Sequence, residues 1–217
     1  MDAERIAFER QLSGAAFRDA AAEDDFASVL ATYKRRGCAM IVTGAVAQET
    51  AERAFRLLGG AVDVDRKRIV VMGDDDDPGA FLPEAVEPGS PDVRVFSAAD
   101  YVSLEGLREA VLEATVRFDS RTDRLEPGQL RLLVPDVDAV LSSANADSDE
   151  SERFVRALGT IVRGVRGMGY VHRRQYDVEA SFIGLFDGWI ELREGSVGPQ
   201  HRWHVPPGER TTDWIRL

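Results

Sequence analysis

The residues with the clearest chemical potential lie in a turn between an apolar run and a helical pattern. Residues 38–43 are apolar and are followed by Gly44, and residues 51–58 have helical spacing. A strand, a glycine turn and a helix form the layout of a phosphate-binding loop. In such a loop backbone N–H groups hold phosphates, a lysine reaches the β- and γ-phosphates, and Ser or Thr binds Mg²⁺. Gly44 and Thr50 are therefore predicted to be the two ends of a vestigial nucleotide site.

The chemistry of this loop is incomplete. The motif G-x-x-x-x-G-K-[ST] requires a lysine, whereas this chain has Gln48-Glu49-Thr50, in a loop one residue shorter than the standard. A carboxylate at Glu49 repels a triphosphate, and the lysines of the chain, Lys34 and Lys67, lie outside the loop. We expect the loop to bind no nucleotide with useful affinity, because a Thr-Gly turn is also a common connection between a strand and a helix.

Two acidic residues follow the apolar run 130–134. Asp136 or Asp138 could serve as a Walker B carboxylate, which orders Mg²⁺ and water. Acidic residues also cap turns after strands in an acidic chain, and Pro135 interrupts the step from the strand to Asp136. Both interpretations remain open.

A second acidic cluster follows residues 68–72, another apolar run. Asp74 and Asp75 stand at its carboxyl end, where an activating carboxylate would lie, and they are the catalytic candidates of the chain. The competing interpretation is a solvated, salt-adapted loop, since four aspartates occur in a row at residues 74–77.

The remaining reactive side chains predict no further site. Cys38 is the only cysteine, so neither an intrachain disulfide nor a cysteine metal site is possible. His201 and His204 are three residues apart in a strand-like segment and point to opposite faces, which makes a poor metal pair. We predict no metal site, and no Ser-His-Asp or Cys-His arrangement follows from the spacing.

The elements that must position these residues alternate between strands and helices. This alternation predicts an α/β fold with a doubly wound, mostly parallel sheet flanked by helices and an antiparallel C-terminal edge. A capping-box pattern at residues 149–152 is predicted to open one long helix, and Ser103 to cap another. The predicted strands are residues 38–43, 68–72, 92–96, 130–134 and 169–172, with a hairpin at 189–193 and 201–205. We expect residues 1–25 to form an N-terminal helical or disordered extension and residues 26–217 to form one domain.

Composition excludes several classes of function. The net charge of the 217 residues is −11, and lysine occurs only twice, arginine supplying the other cations. Abundant carboxylates suit a protein working in molar salt, where the screening length falls to about 3 Å; a GC-rich genome also favours arginine over lysine. General nucleic-acid binding is disfavoured. The N-terminus does not resemble a signal peptide and no apolar run is long enough to cross a membrane, so we expect a cytoplasmic protein.

The order of these landmarks resembles the RecA/KaiC-like ATPase core. The segments that carry the resemblance are residues 38–58, 68–75, 103–107, 130–136, 169–172, 186–193 and 200–203. The whole is similar to an uncharacterised group of haloarchaeal proteins, sometimes labelled transducer-like, that carry a degenerate version of this core over roughly residues 26–217.

The resemblance implies a P-loop NTPase fold and a set of site residues. Gly44 and Thr50 correspond to the phosphate loop, Asp74 and Asp75 to the catalytic acid region, and Asp136 to the Mg²⁺-linked acid. The missing lysine argues against ATPase activity. We therefore expect a non-catalytic domain without a cofactor, a regulatory or signalling interaction module of a halophilic archaeon that contacts a protein partner or a second copy.

Two other hypotheses follow from the same residues. A divergent ATP-binding protein or ATPase would retain weak binding of ATP and Mg²⁺ through Gly44, Thr50 and Asp136, and an oligomer could supply an arginine in trans. A DNA-repair accessory domain is the third hypothesis, which the acidic surface disfavours.

Overall fold

The alternating strands and helices form one mixed sheet in a computed structural model that describes residues 20–73, 77–175, 178–205 and 210–217. The strands are β1 Cys38–Thr43, β2 Lys67–Met72, β3 Val93–Ser97, β4 Leu130–Val134, β5 Met168–Arg173, β6 Gly188–Gly195, β7 Gly198–Val205, β8 Arg210–Thr211 and β9 Ile215–Arg216. Each of the sequence-predicted strands is present, and the bounds differ by at most three residues at either end.

The helices connect these strands. They are α1 Ala20–Arg36, α2 Gln48–Leu58, α3 Leu104–Arg121, α4 Val137–Ser143, α5 Ser148–Gly164 and α6 Ala180–Ile183, with short 3₁₀ turns at Pro78–Phe81 and Ala98–Asp100. None of these described helices is both long and apolar enough to cross a membrane.

Strand β1 lies inside the sheet, whose order is β3-β2-β4-β5-β1-β6-β7-β8, with β9 also paired to β7. The first six strands in this order are parallel, and β7 runs antiparallel to β6. Met40 of β1 is level with Tyr170 of β5 on one side and with Gly188 of β6 on the other. The mostly parallel sheet and its antiparallel C-terminal edge confirm the predicted α/β class.

The hydrophobic core forms two layers, one on each face of the sheet. On one face, α1 and α2 contribute Phe26 and Phe55, which pack in one buried cluster with Val42 of β1. On the other face, α3 and α5 contribute Leu107 and Leu158 to a second cluster. All six residues of β1 are buried because both of its faces are covered, which explains its continuous apolar run.

The chain divides between the two faces beside β1. The connection after β1 leads across β5 and β4 to β2, whereas the connection after β5 leads across β1 to β6. Since parallel crossovers are right-handed, these two connections lie on opposite faces of the sheet. The loops after β1 and β5 therefore lead to opposite faces from the carboxyl edge of the sheet. In open α/β sheets, this kind of switch point is where ligands bind.

The start of α5 differs from the sequence prediction. Asp147 caps the helix: its side chain accepts a hydrogen bond from the Glu150 N–H at 2.8 Å, and the Glu150 carboxylate accepts one from the Asp147 N–H. The capping box therefore lies two residues before the predicted start at Asp149. The helix ends at Gly164, and Val165 is its C-cap residue. The proposed boundary at residue 26 falls within α1 and stays a prediction, because residues 1–19 lie outside the described part of the chain.

Candidate functional site

The loop after β1 begins at a glycine that no other residue could replace without strain. Gly44 has a φ of +134°, and a Cβ placed there would lie 2.5 Å from the carbonyl oxygen of Leu192 in β6. Its N–H donates a hydrogen bond to the Gln175 carbonyl at 3.1 Å. Gly44 therefore fits the turn for reasons of backbone geometry, and its amide is used within the chain.

The start of α2 is held by another element of the same chain. Ala47 is the N-cap residue and has no capping side chain, and its N–H donates to the Glu194 carboxylate at 3.3 Å. Glu49 is exposed in the first turn, while Thr50 is buried. A carboxylate from the end of β6 thus occupies a position from which an anion would accept a backbone hydrogen bond.

Asp136 caps α4 at the same edge of the sheet, in the region between the loops after β1, β4 and β5 that we call the crevice. One carboxylate oxygen accepts a hydrogen bond from the Ala139 N–H at 3.0 Å, and the other lies 3.2 Å from Nε of Arg174. Arg174 also donates to the side-chain oxygen of Gln48 at the start of α2. Arg174, the residue after β5, therefore links the phosphate-loop candidate to the carboxylate candidate.

A second ion pair lies beside the first. Asp138 in the first turn of α4 is 3.2 Å from Nε of Arg173, whose guanidinium lies over the ring of Phe182 at 4.6 Å. Burial raises the pKa of the Asp138 carboxyl, and the charge of Asp136 adds to the effect while Arg173 opposes it. Both predicted carboxylates thus lie at this edge of the sheet, and each is paired with an arginine.

His172 joins the two strand ends beneath these ion pairs. Its Nδ1 lies 2.9 Å from the Pro135 carbonyl oxygen and its Nε2 lies 3.3 Å from that of Gly44. The ring is fully buried, and burial lowers the pKa of the imidazole although both carbonyls oppose this. A neutral imidazole has one N–H, so it donates to only one of the two carbonyls at a time. His172 therefore fixes the distance between the loops after β1 and β4.

The catalytic candidates that follow β2 lie outside the part of the chain that the structure describes. Asp74 and Asp75 lie outside the described residues. The last described residue before them, Gly73, abuts α4, since a Cβ on it would lie 2.9 Å from the Cβ of Ala139. Its carbonyl accepts a hydrogen bond from the Ser97 hydroxyl at 3.3 Å, which ties the end of β2 to the end of β3.

Neither lysine is close to the loop. Lys67 begins β2 at the opposite, amino edge of the sheet, where its ammonium is 2.8 Å from both Asp65 and Asp92. Lys34 lies near the end of α1, and a Cβ placed on Gly128, at that same amino edge, would lie 3.7 Å from Cγ of Lys34. Both lysines are therefore placed at the amino edge, whereas the loop after β1 lies at the carboxyl edge.

The crevice as described carries more negative than positive charge. Its carboxylates are Glu49, Asp136, Asp138 and Glu194, and its cations are Arg173 and Arg174. Within the described residues, no group of three His, Cys, Asp or Glu side chains is arranged to hold a metal ion. Gly44, Thr50 and Asp136 thus lie at one edge of the sheet. The carboxylates there outnumber the arginines, so most of the charge near a triphosphate would be negative and repel it.

Four residues of the crevice were missed by sequence reasoning. His172, Arg173 and Arg174 are consecutive at the end of β5, and the only signal was a pair of arginines and a histidine after an apolar run. Glu194 carried no signal, because its partner Ala47 is 147 residues away.

Comparison with known proteins places the chain in a family. Residues 37–192 match a family of unknown function, DUF7504, and the chain belongs to that family. No curated protein matches it.

Proposed function

We propose that this chain is a non-catalytic RecA/KaiC-like domain that acts as a regulatory or signalling interaction module and holds no nucleotide in the loop after β1. The contact between the Ala47 N–H and the Glu194 carboxylate, at 3.3 Å, carries the proposal. In a working loop that amide would be available to a phosphate oxygen. Here the carboxylate of Glu194, at the end of β6, accepts the hydrogen bond from that amide.

Electrostatics around the loop support the same conclusion. The guanidinium of Arg174, a cation close enough to contact a bound phosphate, is held by the Asp136 carboxylate at 3.2 Å and by Gln48. Glu49 stands exposed where the motif has its lysine. A triphosphate would have to displace one carboxylate, break an ion pair and approach another carboxylate, with no lysine in compensation.

The outer face of the β6–β7 hairpin supports a role in protein contacts. We call this the hairpin face, and it comprises Trp189, Glu191, Arg193, Arg202, His204 and Trp214. The rings of Trp189 and His204 stack at 4.1 Å, and the guanidinium groups of Arg193 and Arg202 lie 3.8 Å and 4.6 Å from the Trp214 ring. These side chains are partly exposed, and tryptophan with arginine is the composition typical of the centre of protein interfaces.

Isothermal titration calorimetry with ATP and Mg²⁺ in molar KCl tests the proposal. We expect a flat titration for the natural chain and no phosphate release. Replacing Glu194 with Gln removes the competing charge, so any residual affinity of the loop should become measurable first in that variant. Glu152→Gln is the matched control, since Glu152 is an exposed carboxylate paired with Arg156 on α5.

Micromolar ATP binding by the natural chain, lost in Thr50→Ala, would contradict the proposal. That result would favour the second candidate, a divergent ATP-binding protein, which the position of the loop at the switch point of the sheet supports. Weak binding that appears equally in Glu194→Gln and Glu152→Gln would show that the Ala47 contact does not control the loop.

A further inference from the structure

Strand β3 forms an open edge of the sheet, at the end opposite the C-terminal hairpin. It pairs with β2 on one side, and no other strand of the described chain lies beside it. Of its residues Val93–Ser97, the first is buried and the rest are partly exposed. An open strand edge presents unpaired backbone donors and acceptors, so it can pair with a strand of another chain.

The pairing with β2 shows which backbone groups of β3 point to the open side. The Arg68 N–H of β2 donates to the Asp92 carbonyl at 2.8 Å. Because backbone groups alternate in direction along a strand, the N–H and carbonyl of Arg94 also face β2. The backbone groups of every other residue point away from β2, and these residues are Val93, Val95 and Ser97.

Val95, at the centre of β3, has both of its backbone groups on the open side. In the described part of the chain neither its N–H nor its carbonyl has a hydrogen-bond partner, and the Ser97 N–H has none either. The Val93 N–H is used, since it donates to the Ser90 carbonyl at 3.0 Å. The Val93 carbonyl accepts one hydrogen bond from the Arg94 guanidinium and keeps a second lone pair.

These backbone groups are self-complementary in an antiparallel pair of two β3 strands. When Val95 lies opposite Val95 of a second copy, each N–H donates to the carbonyl of the other. In the same register Ser97 lies opposite Val93 of the second copy, so the Ser97 N–H donates to the Val93 carbonyl. Every unpaired group named above then has a partner. A second copy of this chain therefore satisfies the edge completely.

The side chains suit the same register. Val95 lies against its own counterpart, which makes a β-branched pair, and Arg94 lies opposite Phe96 of the second copy. The Arg94 guanidinium is 5.6 Å from the Phe118 ring, so it is already on the face of the sheet that carries Phe96. A cation opposite an aromatic ring is favourable. Arg94 is the only charged residue of β3, so no like charges meet along the strand pair.

We propose that β3 is a homodimer interface, in which the β3 strands of two copies pair antiparallel about a two-fold axis at Val95. Apolar surface lies beside the strand, because the Tyr101 ring meets the Phe96 ring at 6.3 Å and the adjacent Val102 is fully exposed. A strand edge this short buries less area than a standard interface, so the dimer is weak and depends on concentration. The contact is independent of the hairpin face and of what the loop after β1 binds.

Hydrogen exchange of the natural chain tests the interface at single amides. Samples at about 20 µM and about 1 mM in molar KCl are compared, since mass action favours the dimer at the higher concentration. The N–H groups of Val95 and Ser97 should exchange roughly fivefold more slowly at the higher concentration. The N–H of Val62, an exposed residue in the loop after α2, should not change. Sedimentation equilibrium of the same samples should show monomers converting to dimers.

Two substitutions of Val95 test the register. Val95→Pro removes a donor of the dimer but no hydrogen bond between β2 and β3, because the Val95 N–H faces away from β2, so it should abolish dimerisation. Val95→Lys should weaken the dimer strongly, because the two-fold axis replaces an apolar contact by two like charges. Val62→Lys, the matched control at another exposed valine, should dimerise as the natural chain does.

A natural chain that stays monomeric at about 1 mM would overturn the proposal. A dimer that forms equally in Val95→Lys and Val62→Lys would also overturn it, since such a dimer uses another surface. Slow exchange of the Val95 N–H at both concentrations would show that the chain covers its own β3 and would contradict a dimer there. If Val95→Pro does not fold, Val95→Lys and the exchange of the natural chain decide.

Discussion

Individual residues at the carboxyl edge of β1 have structural roles that do not depend on a phosphate. Gly44 is required by its φ of +134° and by the close approach of Leu192, whatever the loop binds. Asp136 is required as the cap of α4. Gly44 and Asp136, which match a nucleotide motif, therefore have structural explanations, and the Ala47 N–H is already hydrogen-bonded to the Glu194 carboxylate.

His201 makes stability depend on pH. It is buried on β7, and burial lowers its pKa to about 4, whereas an unfolded histidine titrates near 6.5. Below pH 6.5 the unfolded chain binds the proton more readily, so folding stability falls as pH drops towards 4. We expect a loss of about 2 kcal/mol from this residue between pH 7 and pH 5, measured by urea denaturation in molar KCl.

His201→Phe should remove that part of the pH dependence. The matched control is His204→Phe: burial also lowers the pKa of His204, but its hydrogen bond to Glu191 opposes the shift, so its contribution is smaller. The slope of stability between pH 5 and 7 is the quantity to compare, since either substitution also changes packing. If the natural chain and His201→Phe have parallel slopes, the proton balance assigned to His201 is wrong.

At the scale of elements, most helices and strands could be predicted because their patterns are local. The apolar run of β1, the Ser103 cap of α3 and the hairpin alternation of β6 and β7 each specify an element. The predicted start of α5 was wrong because two Asp-containing capping patterns overlap in the sequence. The earlier one, with Asp147 and Glu150, forms the capping box. Contacts between elements that are distant in the chain have no local sequence pattern from which they could be predicted.

Asp187 illustrates a contact of this kind. It lies in the Phe-Asp-Gly-Trp segment before β6, and its carboxylate accepts hydrogen bonds from the Ala39 N–H of β1 at 2.8 Å and from Arg163 of α5 at 2.9 Å. Its carbonyl accepts a third from the Tyr33 hydroxyl of α1 at 2.8 Å. One residue therefore connects three elements to the start of β6.

Asp187→Ala should lower the free energy of unfolding by about 2 kcal/mol, because it leaves the Ala39 amide and the Arg163 guanidinium without this acceptor. Chemical denaturation measures the change, and Asp187→Asn should recover part of it by keeping an oxygen for Ala39. Glu113→Ala, which breaks an exposed ion pair with Arg117, should cost about 0.5 kcal/mol or less. If both alanine variants lose the same free energy of unfolding, the hydrogen bonds of Asp187 stabilise the fold no more than an exposed ion pair does.

At the scale of the whole molecule, the fold class followed from the alternation of strands and helices, but the order of the strands did not. The hydrophobic pattern of a strand indicates burial and not which strands are its neighbours. The position of β1 between β5 and β6 is set by crossover handedness and by contacts such as those of Asp187. The ion pairs of the crevice depend on that order, which is why Arg174 could not be paired with Asp136 from the sequence.

The segment that matches the family lacks elements that complete the hydrophobic core of this chain. The match covers residues 37–192 and ends within β6, so α1 and strands β7 to β9 lie outside it. These outer elements pack on one another, since the rings of Phe26 and Trp203 meet edge to face at 6.2 Å. Both rings belong to the same buried cluster as Phe55 and Val42 of the matched segment.

A fragment of residues 37–192 should therefore fail to unfold cooperatively, whereas residues 20–217 should melt as one unit. Removing α1 and β7 exposes the apolar face of β6, including Ile190 and Leu192, and leaves an open edge strand that favours aggregation. Differential scanning calorimetry and light scattering in molar KCl make the comparison. A sharp transition of the short fragment at the temperature of the longer one would show that the outer elements are dispensable additions, and that the core closes without them.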